Sequence, residues 1–235
     1  MRLGLYGGTF DPVHFGHLLL AETCREVARL DEVWFIPTGT PPHKPGVEIA
    51  PAKSRREMLE LAIAGLPQFQ VSRLEIDRPG PHYTVDTLRL VREQRPEDEL
   101  FLLIGKDSLF DLPTWRDPRA ISELANIVAV NRTSRSWDKD FEDARFKQFG
   151  RPEPVNPYLF SADVEITGHP GLVFEVDFVT MPQMDISATD LRQRVAAERS
   201  IRFQTPRAVE QYIRAHRLYR TPVTAENAVP PKAAH

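Results

Sequence analysis

The sequence predicts an α/β protein with a doubly wound, mainly parallel sheet and helices at its C-terminal end. Three observations predict it. Short apolar runs alternate with amphipathic stretches along most of the chain. The first unit reads strand–helix–strand, from Leu3 to Ile36, and such units build parallel sheets with right-handed crossovers. The most apolar run, LFLLIG at 100–105, suits a central strand buried on both faces.

Leu3–Tyr6 reads as the first strand, and Gly7–Val13 as a loop in which Gly7-Gly8 and Asp11-Pro12 are turn signals. From about His17 to Leu30 the pattern is helical, with Leu20, Cys24 and Val27 on one face. Glu32–Ile36 is a second strand, followed by a proline-rich loop, TGTPPHKPGVEIAP. Ser54 and Glu57 have the spacing of a capping box, and Met58, Leu61 and Ala62 continue that helix. A short strand falls within Phe69–Ile76, a helix over about Thr84–Glu93, and further strands at Asn126–Val130 and Leu172–Val179. Helices are expected at Ser187–Val195 and Pro206–His216, the last capped by Thr205. Residues 1–220 read as a single domain. Within it, 133–170 mix charge, aromatics and prolines without periodicity and read as an inserted surface excursion; 221–235 read as a disordered tail.

The chain of 235 residues carries a formal net charge of −3, so no global basic field is available to hold nucleic acid or a membrane, and neither is expected as a partner. Cys24 is the only cysteine, which excludes an intrachain disulfide and a cysteine-rich metal site. No basic-then-apolar leader opens the sequence, and no apolar run approaches the roughly 20 residues of a membrane span. A cytoplasmic setting is expected.

Any anion site must therefore be local, and GGTFDPVHFGH (7–17) offers one. It leaves the first strand and opens the first helix. Ligands of such sheets bind beyond the carboxyl ends of the strands, glycines let phosphate approach the backbone, and helix-start amides favour anions. Neither GxGxxG nor a Walker loop occurs. His14 and His17 could instead be a metal pair, but Asp11 is the sole nearby further ligand and a zinc site needs at least three. They could also simply pack at the helix entry; Gly16 between them argues for a close approach instead.

A second candidate cradle is MDISATDLRQRV, where Ser187 and Asp190 make a capping box and Arg192 stands one turn on. By itself this could be an ordinary capped surface helix. Lys44, beside His43 on the proline-stiffened loop, could neutralise phosphate or be a solvated lysine. Asp107 follows the LFLLIG strand, and Trp115 offers either a stacking face or a core aromatic.

Taken together, GGTFDPVHFGH is similar to the HxGH signature of the nucleotidylyltransferase superfamily, and ISATDLR resembles its ISSTxIR motif, with Ala188 in place of the usual serine. PPHK (41–44), HYTVDTL (82–88) and IGKDSLFDLPTW (104–115) resemble segments of the bacterial nicotinate mononucleotide adenylyltransferases. The resemblance covers most of 1–132 and 180–219; the family is usually shorter at 133–170. It implies a Rossmann-like nucleotidylyltransferase fold and transfer of the adenylyl group of ATP to nicotinate mononucleotide. By this resemblance His14 and His17 are catalytic. Gly8, Thr9, Phe10, Gly105, Asp107, Ile186, Ser187, Thr189 and Arg192 bind ATP. His43, Lys44, Thr84, Trp115 and Arg132 bind the mononucleotide. Mg²⁺ is expected mainly on the ATP phosphates, without a dedicated protein metal site. Two alternatives stand beside this: an HxGH adenylyltransferase for nicotinamide mononucleotide or phosphopantetheine, and a nucleotide-binding module without chemistry.

Overall fold

The computed structural model of the protein describes residues 1–39, 49–131 and 137–220. Five strands form a parallel half-sheet: β1 (Arg2–Gly8), β2 (Glu32–Pro37), β3 (Phe69–Val71), β4 (Glu99–Gly105) and β5 (Asn126–Asn131). Three more follow: β6 (Phe146–Asn156), β7 (Leu159–Ile166) and β8 (Val173–Thr180). The order across the sheet is β3-β2-β1-β4-β5-β8-β7-β6. β8 joins β5 in parallel, and β7 and β6 continue antiparallel. The order reverses between β1 and β4, and that switch point is where an open α/β sheet leaves a crevice.

Alternate residues of each central strand feed opposite faces, as the two-residue strand period requires. Phe101, Leu103, Val128 and Val130 join one apolar layer, whereas Leu100, Leu102, Ile104, Ile127 and Ala129 join the other. Four helices cover the first face: α1 (Phe15–Val27), α2 (Ala52–Ala62) and, near the chain end, α7 (Ala188–Ala196) and α8 (Arg207–Ala215). The second is covered by α3 (Thr84–Gln94), α4 (Lys106–Asp111), α5 (Pro118–Leu124) and α6 (Trp137–Glu142). Burial on both faces is why LFLLIG reads as one unbroken apolar run.

Several local expectations change. α1 starts at Phe15, two residues before the expected His17, so the histidines fall at its N-cap and third position. α2 starts at Ala52, directly after Pro51, which leaves Ser54 inside the helix and not at its cap. Glu57 takes a different partner, the Tyr212 hydroxyl, at 2.5 Å. Thr205 does not cap α8; Pro206 holds that position, and the buried Thr205 hydroxyl donates to Val13 O at 2.8 Å. The described part of 133–170 is not a surface excursion. α6 buries Trp137, whose indole N–H donates to Val179 O at 3.1 Å, and β6 and β7 extend the sheet. Trp137, Phe141, Phe146 and Phe160 gather around Phe178. Pro154 is tolerated because β6 is the edge strand. Residues 221–235, expected as a tail, lie outside the described residues.

Candidate active site

β1 ends at Gly8, where an added Cβ would stand 2.9 Å from the Phe10 ring. Only glycine lets that ring fold back over the strand end. Phe10 has φ +48° and is buried, 5.0 Å edge-on from His17 and 5.6 Å from Phe35. Its side chain thus braces His17 from the core.

His14 and His17 form a capping box in which each imidazole faces the other's backbone N–H; the His14 N–H reaches His17 Nδ1 at 3.3 Å. The two rings stack at 3.7 Å. Gly16 explains itself here. A Cβ on it would lie 3.0 Å from His14 Nδ1, and 3.8 Å from Ile186 O on the approach to α7. The starts of α1 and α7 therefore meet; the Phe15 N–H of α1 donates to Gln204 O at 3.1 Å and the His14 N–H to His17, so it is the start of α7 that favours an anion where the two meet.

Between them opens a cavity of about 230 Å³, lined by Thr9, Phe10, Asp11, His17, Ile49, Ala188, Thr189 and Arg192. His17 lines it, while His14, 1% exposed, stands behind. Ser187 caps α7, its hydroxyl accepting from Asp190 N at 3.1 Å. Arg192 donates to Asp11 O at 2.7 Å and to Thr189 Oγ1 at 3.3 Å, so its fork is already oriented at the cavity wall. The structure brings together Thr9, Phe10, His17, Thr189 and Arg192, with Gly8, Ile186 and Ser187 immediately behind them.

The remaining predicted residues lie elsewhere. Gly105 caps α4 at the end of β4 with open space where a Cβ would go, and Asp107 is exposed in the first turn of α4. Thr84 opens α3, and Trp115 follows the 3-10 turn Leu112–Thr114, packed on the second core face. These two segments meet: the Arg116 guanidinium sits 4.8 Å over the Tyr83 ring. Neither lines the 230 Å³ cavity. His43, Lys44 and Arg132 lie outside the described residues.

Sequence reasoning missed Arg55. Its guanidinium is buried and donates to Ala50 O at 3.0 Å, Thr9 O at 2.8 Å and Gly39 O at 3.2 Å. It ties the loops after β1 and β2 to the start of α2, although burial pulls its pKa down. Arg55→Ala is expected to lower stability by about 3 kcal/mol, because buried carbonyls lose their donor. Urea unfolding measures it. Asp11 and Tyr219 were also missed as a pair: the Tyr219 hydroxyl donates to Asp11 Oδ1 at 2.6 Å. Among the described residues no group of three or more His, Cys, Asp or Glu is placed to hold a metal ion, and no helix is long and apolar enough to cross a membrane.

A cavity beyond the end of β1, lined by the second histidine of the HxGH pattern and by the start of α7, defines a class. The chain belongs to the cytidylyltransferase-like family, whose model matches residues 5–194. Within it the chain groups with the nicotinate-nucleotide adenylyltransferases. It is 45% identical over 220 residues to the "Probable nicotinate-nucleotide adenylyltransferase" of Thermus thermophilus, covering 94% of this chain and 100% of that one. It is 43% identical over 220 residues to the protein of the same name from Thermomicrobium roseum, covering 94% and 92%. Among solved structures, the Plasmodium falciparum nicotinic acid mononucleotide adenylyltransferase complexed with NaAD superposes with a TM-score of 0.67 at 16% identity, over 93% of this chain and 97% of that one. That likeness establishes a shared fold.

Proposed function

We propose that this chain transfers the adenylyl group of ATP to nicotinate mononucleotide, giving nicotinate adenine dinucleotide and pyrophosphate in NAD biosynthesis. The observation that carries the reading is the cavity shared by His17, Thr189 and Arg192 between two helix starts, in a chain 45% identical to a relative of that name.

The chemistry suits these residues. The nucleophile is the phosphate of the mononucleotide, whose second pKa is about 6, so it is largely dianionic at neutral pH and needs no general base. Its oxygen bonds to the α-phosphorus of ATP as the bond to the β-phosphate oxygen breaks, and pyrophosphate leaves with the electron pair. The obstacle is two anions brought into line, so catalysis is positioning and charge stabilisation. In this reading His17 meets the α- and β-phosphate oxygens, supported by His14. The α7 amides, Thr189 and Arg192 hold the leaving pyrophosphate, and Gly8, Thr9 and Phe10 shape the cavity floor. Gly105 and Asp107 take the nucleoside end of ATP. Thr84 and Trp115, with His43, Lys44 and Arg132, take the mononucleotide.

Mg²⁺ would offset phosphate charge, and the fit is to an ion carried by the phosphates. The cavity carboxylate, Asp11, is already engaged by the Tyr219 hydroxyl and the Ala50 amide. A cytoplasmic setting completes the reading. The test is product analysis after incubation with ATP, Mg²⁺ and nicotinate mononucleotide. Equimolar dinucleotide and pyrophosphate are expected. ATP binding without pyrophosphate release would make the chain a binding module.

A further inference from the structure

The last described turn of the chain reaches into this cavity wall. Beyond α8, Arg217 has φ +52° and Tyr219 φ +60°, a left-handed backbone that bulky residues seldom adopt. The Leu218 N–H donates to Ile213 O at 3.1 Å, which closes the turn, and Leu218 and Tyr219 pack on the first core face. The reversal sends the Tyr219 phenol inward to Asp11 Oδ1, 208 residues away in sequence.

Asp11 is an awkward group to find here. It is 3% exposed and lines a cavity that, on the proposed function, receives phosphates. Its Oδ1 also accepts from Ala50 N at 3.3 Å, its backbone oxygen accepts from Arg192, and its Oδ2 lies 3.9 Å from the same guanidinium nitrogen. The Arg192 guanidinium already pairs with this carboxylate at 3.9 Å, and the charge of Asp11 also acts on the buried Arg55, so the carboxylate competes with an incoming anion for Arg192. Burial and the neighbouring carboxylate push the Tyr219 phenol pKa well above its ordinary value, so it stays a donor.

We infer that Tyr219 is a positioning residue for the anion cavity. Its hydrogen bond offsets part of the Asp11 charge and holds the carboxylate at no closer than 3.9 Å from Arg192, which lets that guanidinium exchange a loose ion pair for phosphate. This rests on the cavity being the triphosphate site of the proposed function.

The test uses pyrophosphate and ATP as probes of the full chain. Tyr219→Phe keeps the ring and removes the hydroxyl. Its pyrophosphate dissociation constant, read by calorimetry, and its KM for ATP are expected to rise about tenfold, the scale of one hydrogen bond to a charged group. The KM for the mononucleotide should move by less than roughly twofold, because that substrate is assigned to residues Tyr219 does not touch. Adding Asp11→Asn removes the charge and keeps an acceptor for the Ala50 N–H. The double variant is expected to recover most of the lost affinity, whereas a merely structural tyrosine predicts further loss. Asp11→Asn alone should bind pyrophosphate more tightly than wild type, which keeps the test open if Tyr219→Phe does not fold. Wild-type binding in Tyr219→Phe, no recovery in the double variant, or weaker binding by Asp11→Asn alone would overturn the inference. Pyrophosphate binding needs no acceptor. A wild-type chain that binds pyrophosphate but makes no dinucleotide would therefore contradict the proposed function and leave the Tyr219 result standing.

Discussion

Alanine at position 17 is expected to lower turnover by about two to three powers of ten, while ATP binding weakens far less. The reason is the orientation of the ring. His17 Nδ1 accepts the His14 N–H at 3.3 Å, so the ring proton sits on Nε2 and makes that atom a donor. Stacking on His14 at 3.7 Å and the Phe10 edge at 5.0 Å hold the ring in place. A donor fixed before the reaction acts most strongly where charge grows, on the oxygens between the α- and β-phosphorus. Single-turnover rates and equilibrium ATP binding, measured on one preparation, separate the two effects. Near wild-type turnover would remove His17 from the chemistry.

Arg192→Ala is expected to weaken ATP and pyrophosphate binding by about 3 kcal/mol each, a factor of roughly a hundred. Its fork is oriented by Asp11 O at 2.7 Å and Thr189 Oγ1 at 3.3 Å, beside the start of α7. The charge-assisted bonds of an arginine to phosphate are lost with the side chain, and only the neutral donors of Thr189 and the α7 amides remain. The reverse reaction, in which pyrophosphate attacks, should slow most. Titration of both ligands against the variant measures it, and unchanged affinities for both would empty the cradle of its cation.

The parallel half of the fold could be read because its signals are local. β1, β2, β4 and β5 are runs apolar on both faces, and α7 announces itself through Ser187, whose hydroxyl does accept from Asp190 N. The histidine cluster stood out because its residue types carry chemistry and crowd a strand end. What escaped depends on partners far away. Ser54 has the spacing of a cap, but Pro51 begins the helix earlier and Tyr212 claims Glu57. Arg55 looks like one more charge on an amphipathic helix, and only three carbonyls from two other loops reveal its role. Strands β6 and β7 hide behind prolines and aromatics. Their stability comes from the ring cluster around Phe178 and from pairing onto β8, neither of which leaves a short-range pattern. Asp11 and Tyr219 meet across 208 residues, a distance no motif spans.

The central claim is transfer of adenylate to a nicotinate-bearing acceptor, and the direct measurement is kcat/KM for pyrophosphate release with different acceptors. Nicotinate mononucleotide, nicotinamide mononucleotide, phosphopantetheine and no acceptor are compared at fixed ATP and Mg²⁺. On this account the amides near Thr84 and after Trp115 face the ring substituent. A carboxylate accepts from them with both oxygens, whereas a carboxamide turns an NH₂ donor toward donors. An unpaired buried donor and a lost charge-assisted bond each cost about 1–3 kcal/mol. Nicotinate mononucleotide should therefore exceed nicotinamide mononucleotide by about a hundredfold in kcat/KM, with negligible release for the other two conditions. Equal values for the two mononucleotides would contradict the nicotinate assignment, and release that depends on phosphopantetheine alone would contradict the account as a whole.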